Sequence, residues 1–210
     1  MITDKKCKVC RRAGEKLFLK GEKCFTPKCV FNKKPYAPGK LDSERKHKST
    51  LTEYGRQLRE KQKVRNIYGV SEKQFSNYVV KASEKKSGDP AERLYQSLEN
   101  RLDNVTFRLG LAKSRTMARQ MVSHGHITVN GVRSMVASRA IKIGDVIAVR
   151  EGSKETVPII EAGKRMLDHK VPGWISFDAK TGRAEIKGLP AEKEKDMTVN
   201  LHSVIEFYSR

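Results

Sequence analysis

Between residues 51 and 150 the apolar positions fall into short runs whose spacing changes from helical to alternating. Phe75, Tyr78, Val79 and Ala82 recur at intervals of three and four behind Ser71-Glu72-Lys73-Gln74, which has capping-box spacing, and Gly88 closes the run. A helix is predicted there. Asp89-Pro90-Ala91-Glu92 supplies a second start, with Asp as N-cap and Pro at the first helical position. Leu94, Leu98, Leu102, Val105 and Leu109 follow at helical spacing, with a break expected near residue 100.

Ser114 can cap a short helix carrying Met117, Ala118, Met121 and Val122, ended by Gly125. Ile127-Thr128-Val129 then alternates into Asn130-Gly131, a strong hairpin signal. A turn at Gly144-Asp145 leads to a strand through Val149, so residues 100–150 read as a compact α+β unit. Trp174 to Phe177 and Ala184 to Ile186 flank Thr181-Gly182 and predict a further hairpin.

The first third is different. From Leu51 to Val64 the apolar positions Leu51, Tyr54, Leu58 and Val64 are sparse, separated by Arg56, Arg59, Lys61 and Lys63, with Arg65 following. This predicts a helix with a narrow core stripe and a wide basic face. Residues 1–42 show no sustained helical period and contain Gly14, Gly21, Pro27, Pro35, Pro38 and Gly39, so that segment needs a staple.

Charge narrows the function. The 210 residues hold 44 Lys and Arg against 24 Asp and Glu, a formal charge of +20. A compact protein with that balance calls for a polyanionic partner. Residues 1–65 carry 20 basic and 7 acidic side chains, residues 66–144 carry 13 and 6, and residues 145–210 carry 11 of each. Polyanion contact is therefore expected in the first two thirds. No apolar run approaches the roughly 20 residues that span a bilayer, and Met1 to Lys8 lacks the apolar core of a signal peptide. A soluble, cytoplasmic protein with no membrane partner is expected.

All four cysteines fall in one arrangement, Cys7-x2-Cys10-x13-Cys24-x4-Cys29. Two close pairs a loop apart can converge on one tetrahedral ion, with every position filled and none left for catalysis. Structural zinc is the leading occupant, an iron–sulfur cluster the alternative, and disulfides or inert thiols the remainder. Arg11, Arg12, Lys20, Lys33 and Lys34 lie among these cysteines, interleaved with Phe18, Phe25, Phe31 and Tyr36, a composition suited to phosphate contact and base or ribose stacking. A solvated charged surface with core aromatics is the plainer reading.

A second constellation is Lys113, Ser114, Arg115 and Arg119, followed by His124-Gly125-His126 and Arg133 beyond the Asn130-Gly131 turn. Cationic side chains beside unpaired helix amides favour phosphate. His124 and His126, expected on alternate residues of a strand, lack a nearby carboxylate or cysteine, which argues against metal or catalysis.

The residues Arg101-Leu102-Asp103-Asn104-Val105, Arg108-Leu109-Gly110-Leu111-Ala112, Ser114-Arg115, Ala118-Arg119-Gln120, Val122 through Gly131 and Gly144-Asp145-Val146-Ile147 resemble the S-four RNA-binding domain. The flanks Cys7-x2-Cys10-Arg11-Arg12, Leu17 through Gly21, Tyr54-Gly55, Gln57 through Lys63, Ile67 through Val70 and Glu206 through Arg210 resemble the S-four family of small-subunit ribosomal proteins along nearly the whole chain. The resemblance implies an α+β protein: a metal-stapled extension (1–42), a mostly helical domain (43–98, with the tail 198–210 packing back), an inserted S-four RNA-binding domain (99–163) and a β-hairpin extension (164–197).

It further implies a non-enzymatic primary binder of small-subunit ribosomal RNA that nucleates assembly and contributes to translational accuracy. Its implied neighbours are the S-five and S-three type proteins, beside the channel by which messenger RNA enters. Arg45, Lys46 and Lys48 are implied message contacts, while Arg56, Arg59, Lys61, Lys63, Arg65, His124 and Arg133 join the expected RNA contacts. An RNA-modifying enzyme would need a further catalytic domain, for which residues 150–210 are too short. A zinc-containing DNA regulator would prefer duplex DNA.

Overall fold

The computed structural model describes residues 5–39, 50–84, 88–166, 169–178, 181–191 and 199–209. Arg45, Lys46 and Lys48 lie outside them. The chain divides into two compact units, residues 1–91 with 197–210, and residues 92–196.

In the first unit, α1 (Lys6–Ala13) ends on Gly14 in the left-handed region, a helix that the polar segment 1–42 was not expected to hold. A short helix α2 (Val30–Lys33) follows. α3 (Glu53–Tyr68) starts where Thr52 accepts the Gly55 amide at 3.2 Å and ends at Gly69. α4 (Glu72–Glu84) starts behind Ser71, whose hydroxyl accepts the Gln74 amide at 3.3 Å.

The expected stripe of α3 needs correcting. Leu51 and Tyr54 are about half exposed, and the buried seam is Gln57, Lys61, Val64, Ile67 and Tyr68. The reason lies far along the chain. The C-terminal helix α9 (Leu201–Tyr208), capped by Asn200, packs on α3 and brings carboxylate and aromatic partners to polar seam residues. Gln57 donates to Glu206 at 3.1 Å, the Lys61 ammonium lies 4.7 Å from the Phe207 ring centre, and Tyr208 donates to Glu72 at 2.8 Å.

α5 (Pro90–Glu99), led by Asp89 accepting the Ala91 amide at 3.0 Å, begins in the first unit and from Glu92 onward belongs to the second. α6 (Leu102–Arg108) follows the break at residues 100–101, and α7 (Arg115–Ser123) starts at Ser114, which accepts the Met117 amide. Then come β1 (Ile127–Val129), β2 (Val132–Arg133) and β3 (Val146–Val149). Asn130 and Gly131 take φ values of 53° and 78°, the left-handed pair that a two-residue turn between β1 and β2 requires. α8 (Val157–Met166) precedes β4 (Ile175–Asp178) and β5 (Arg183–Ile186).

The five strands form one antiparallel sheet in the order β2-β1-β3-β5-β4, so the late hairpin extends the earlier strands, with Ile147 opposite Ala184. Leu102, Val105, Leu109, Ala118, Val122, Ile127, Val129, Ile147, Trp174 and Ile186 share the core beneath it. These mixed helices and antiparallel strands are an α+β fold.

Candidate nucleic-acid interface

The cysteine segment is arranged around one small hollow. Cys7 and Cys10 lie one turn apart on α1, Cys24 closes a 3-10 turn at Gly21–Cys24, and Cys29 is the N-cap of α2. All four thiols are free and line the hollow, with Lys6, Lys16, Lys20, Phe18, Leu19 and Phe31. Burial pushes the Cys10 and Cys24 thiols up, and the neighbouring cysteines add to the shift. The donor set fits a thiophilic ion. Among the described residues, however, no three or more His, Cys, Asp or Glu side chains are already drawn into a metal-holding group.

Around the hollow, Arg12, Lys20, Lys33 and Lys34 are exposed. Arg11 is partly committed, its Nε donating to the Tyr36 carbonyl at 2.9 Å while its guanidinium sits 4.8 Å from the centre of that ring.

On α3 the basic face is narrower than its sequence suggests. Arg56 is exposed and Arg59 half-buried. Lys61 and Lys63 are buried: Lys61 bonds Glu72 at 2.6 Å, and Lys63 is held by Glu60 at 2.6 Å and by Glu15. Burial would lower the Lys63 pKa, but the two carboxylates hold it above its ordinary value. Arg65 pairs with Glu72 at 2.8 Å. These three cations hold the unit together in the first instance.

In the second unit two buried carboxylates organise the basic cluster. Glu99, fully buried, receives Arg108 Nε at 2.7 Å, with the Arg115 guanidinium 3.8 Å away. Arg115 also donates to Asn104 at 2.7 Å and lies over the Phe107 ring. Asp103, 3% exposed, is shared by Arg101 at 2.8 Å and Arg119 at 2.6 Å. Arg115 and Arg119 thus reach the surface with one edge fixed from below. Sequence reasoning missed Glu99 and Asp103. The available signal was two acids standing among the apolar positions from Leu98 to Val105.

Lys113 is exposed and pairs with Glu161 at 2.8 Å, while Ser114 is engaged as the α7 cap. His124 and His126 do not sit on a strand as expected, because His124 closes α7 and β1 begins only at Ile127. His124 is exposed, whereas the His126 Nδ1 lies 3.0 Å from the Ser153 hydroxyl. Arg133, exposed on β2, donates to the His124 carbonyl at 3.0 Å and lies so close over Gly125 that a Cβ there would strike its guanidinium. His124, Arg133, Arg115 and Arg119 therefore belong to one unit, whereas the cysteine segment and α3 belong to the other. Among the described residues, no helix is long and apolar enough to cross a membrane.

Two family models match in tandem: "Ribosomal protein S4/S9 N-terminal domain" over residues 1–99 and "S4 domain" over residues 100–147. Curated relatives match end to end. The small ribosomal subunit protein uS4 of Pelotomaculum thermopropionicum is 50% identical over 204 residues, covering 97% of this chain and 96% of the relative. That of Ruminiclostridium cellulolyticum is 49% identical over 209 residues, covering 99% and 98%. That of Thermosipho melanesiensis is 48% identical over 209 residues with the same coverage. With nearly half its residues identical along almost its whole length, the chain belongs to the uS4 family of small ribosomal subunit proteins.

Proposed function

We propose that this protein is a structural constituent of the small ribosomal subunit, a primary binder of small-subunit ribosomal RNA that nucleates assembly in the cytoplasm. The observation that carries this reading is the end-to-end match with small ribosomal subunit proteins. Such proteins are not enzymes. The exposed cations of both units supply the salt-sensitive phosphate contacts the role needs.

In this reading residues 1–42, 43–98 with 198–210, 99–163 and 164–197 are the functional divisions. The RNA contacts are Arg11, Arg12, Lys20, Lys33, Lys34, Arg56, Arg59, Lys113, Arg115, Arg119, His124 and Arg133, with Arg45, Lys46 and Lys48 near the path of messenger RNA. Lys61, Lys63, Arg65 and Ser114 support that surface from their internal bonds. The S-five and S-three type proteins adjoin it, and the site contributes to translational accuracy.

Cys7, Cys10, Cys24 and Cys29 would hold zinc, supported by four free thiols lining one hollow. When bound, the ion supplies folding free energy to a segment with little core of its own.

The test is binding to the five-prime domain of small-subunit ribosomal RNA across a salt series, with excess transfer RNA and duplex DNA as competitors, before and after chelation. Competitor-resistant binding that weakens steeply with salt and is lost on chelation is expected. Displacement by either competitor reduces the reading to generic basic charge, and indifference to chelation removes the zinc.

A further inference from the structure

We propose that the rings of Phe18 and Phe25 form a stacking platform for an unpaired RNA base, a proposal resting on the RNA-binding reading above. The two rings stack on each other with centres 4.8 Å apart and planes 25° from parallel. Neither is a core residue: Phe18 is 45% exposed and Phe25 74% exposed. A single exposed phenylalanine carries no meaning, but a pair held ring on ring at the surface is a built feature.

The backbone shows how it is built. Phe18 has φ 50°, in the left-handed region where a residue with a Cβ is strained. The strain is kept by a tight turn in which the Gly21 amide donates to the Phe18 carbonyl at 3.2 Å, with Gly21 also left-handed. Leu17 just before it is buried, so the turn sends one side chain inward and the next out against Phe25. With Phe18 on one face, the other face of Phe25 is open to a third planar group.

The surroundings select that group. Phe18 lines its hollow together with Lys6, Lys16 and Lys20, and the exposed Lys23 and Lys28 flank Phe25 in the sequence. An exposed aromatic pair in a lysine-rich segment suits a nucleotide, whose base stacks while its phosphates meet the cations. An apolar protein segment would leave those charges unanswered. The base must be unpaired, because bases within a duplex offer no free face to a ring lying at the protein surface.

The experiment uses the full chain and the five-prime domain of small-subunit ribosomal RNA, with Phe25→Ala, Phe25→Leu, Phe25→Tyr and Phe25→Trp compared at fixed salt and across a salt series. Phe25 is largely exposed, so far-UV dichroism should match for all four variants. Alanine and leucine are expected to weaken binding by on the order of tenfold, with tyrosine and tryptophan near the parent and the salt slope unchanged. The Phe25→Trp indole should also be quenched on RNA binding beyond any change shown by Trp174 in the parent. A leucine variant that binds like the parent overturns stacking in favour of a plain apolar contact, as does an alanine variant of undiminished affinity. If the parent is itself displaced by competitor RNA, the functional reading fails and the platform with it; a competitor-resistant parent matched by its variants overturns the platform alone.

Discussion

Glu99 carries more of the second unit's order than its single charge suggests. It is fully buried, and its partner Arg108 is only 7% exposed, so neither has water to fall back on. Glu99→Gln keeps the shape and removes the counter-charge, leaving a buried guanidinium short of its partner. We expect a loss of about 3–5 kcal/mol of unfolding free energy, read as a lower urea midpoint. A midpoint within error of the parent would mean that Arg108 finds other partners. Gly125 acts differently, since its φ of 75° disfavours any side chain and the Arg133 guanidinium fills the space above it. Gly125→Ala is expected to cost roughly 1–3 kcal/mol and to weaken RNA binding as Arg133 is displaced. Arg133→Ala should weaken binding while leaving stability nearly unchanged, which a paired melting and binding measurement separates. At this scale the cationic side chains were legible from the sequence because charge is a property of residue type. The buried acids beneath them were not, since burial of Glu99 and Asp103 depends on how α5, α6 and α7 meet.

At the scale of elements, the docking of α9 turns on a carboxylate with three donors. Glu72 receives Lys61, Arg65 and Tyr208. Partial burial would raise its pKa, but these hydrogen bonds prevail and hold it below the ordinary value of 4.5. A depressed carboxylate adds stability above its unfolded pKa and gives it up as pH falls through the folded one. Amide protection in α9 should therefore hold from neutral pH down to that region and fall below it, with Glu72→Gln flattening the response. Protection that is flat in the parent would show that Glu72 does not gate the contact. The caps at Ser71, Asp89 and Ser114 and the Asn130-Gly131 turn were readable beforehand because each signal is local. α1 was not, because Lys6–Ala13 offers only Cys7, Val9, Cys10 and Ala13 as weak apolar marks. The seam of α3 was misread because Gln57 and Lys61 are buried by partners on α9.

Across the whole molecule, the even charge of residues 145–210 now has a structural reason. That third supplies β3, β4, β5, α8 and α9, elements that complete cores, while the basic excess lies upstream. Completion also has an order in time. The amide of Asn200 bonds Glu60 across 140 positions of sequence, so α3 is synthesised long before the helix that covers it. At about 5–20 residues per second the wait is on the order of ten seconds. The second unit's wait is shorter, since the last of its described strands is made by Ile186. A released chain truncated after residue 196 should resist protease in the sheet and be cut within α3, whereas the chain through residue 210 resists in both; equal resistance would refute the dependence. The first unit thus registers whether synthesis has passed Tyr208, and a chain cut short of α9 carries its cations on a scaffold still waiting for the helix that covers it.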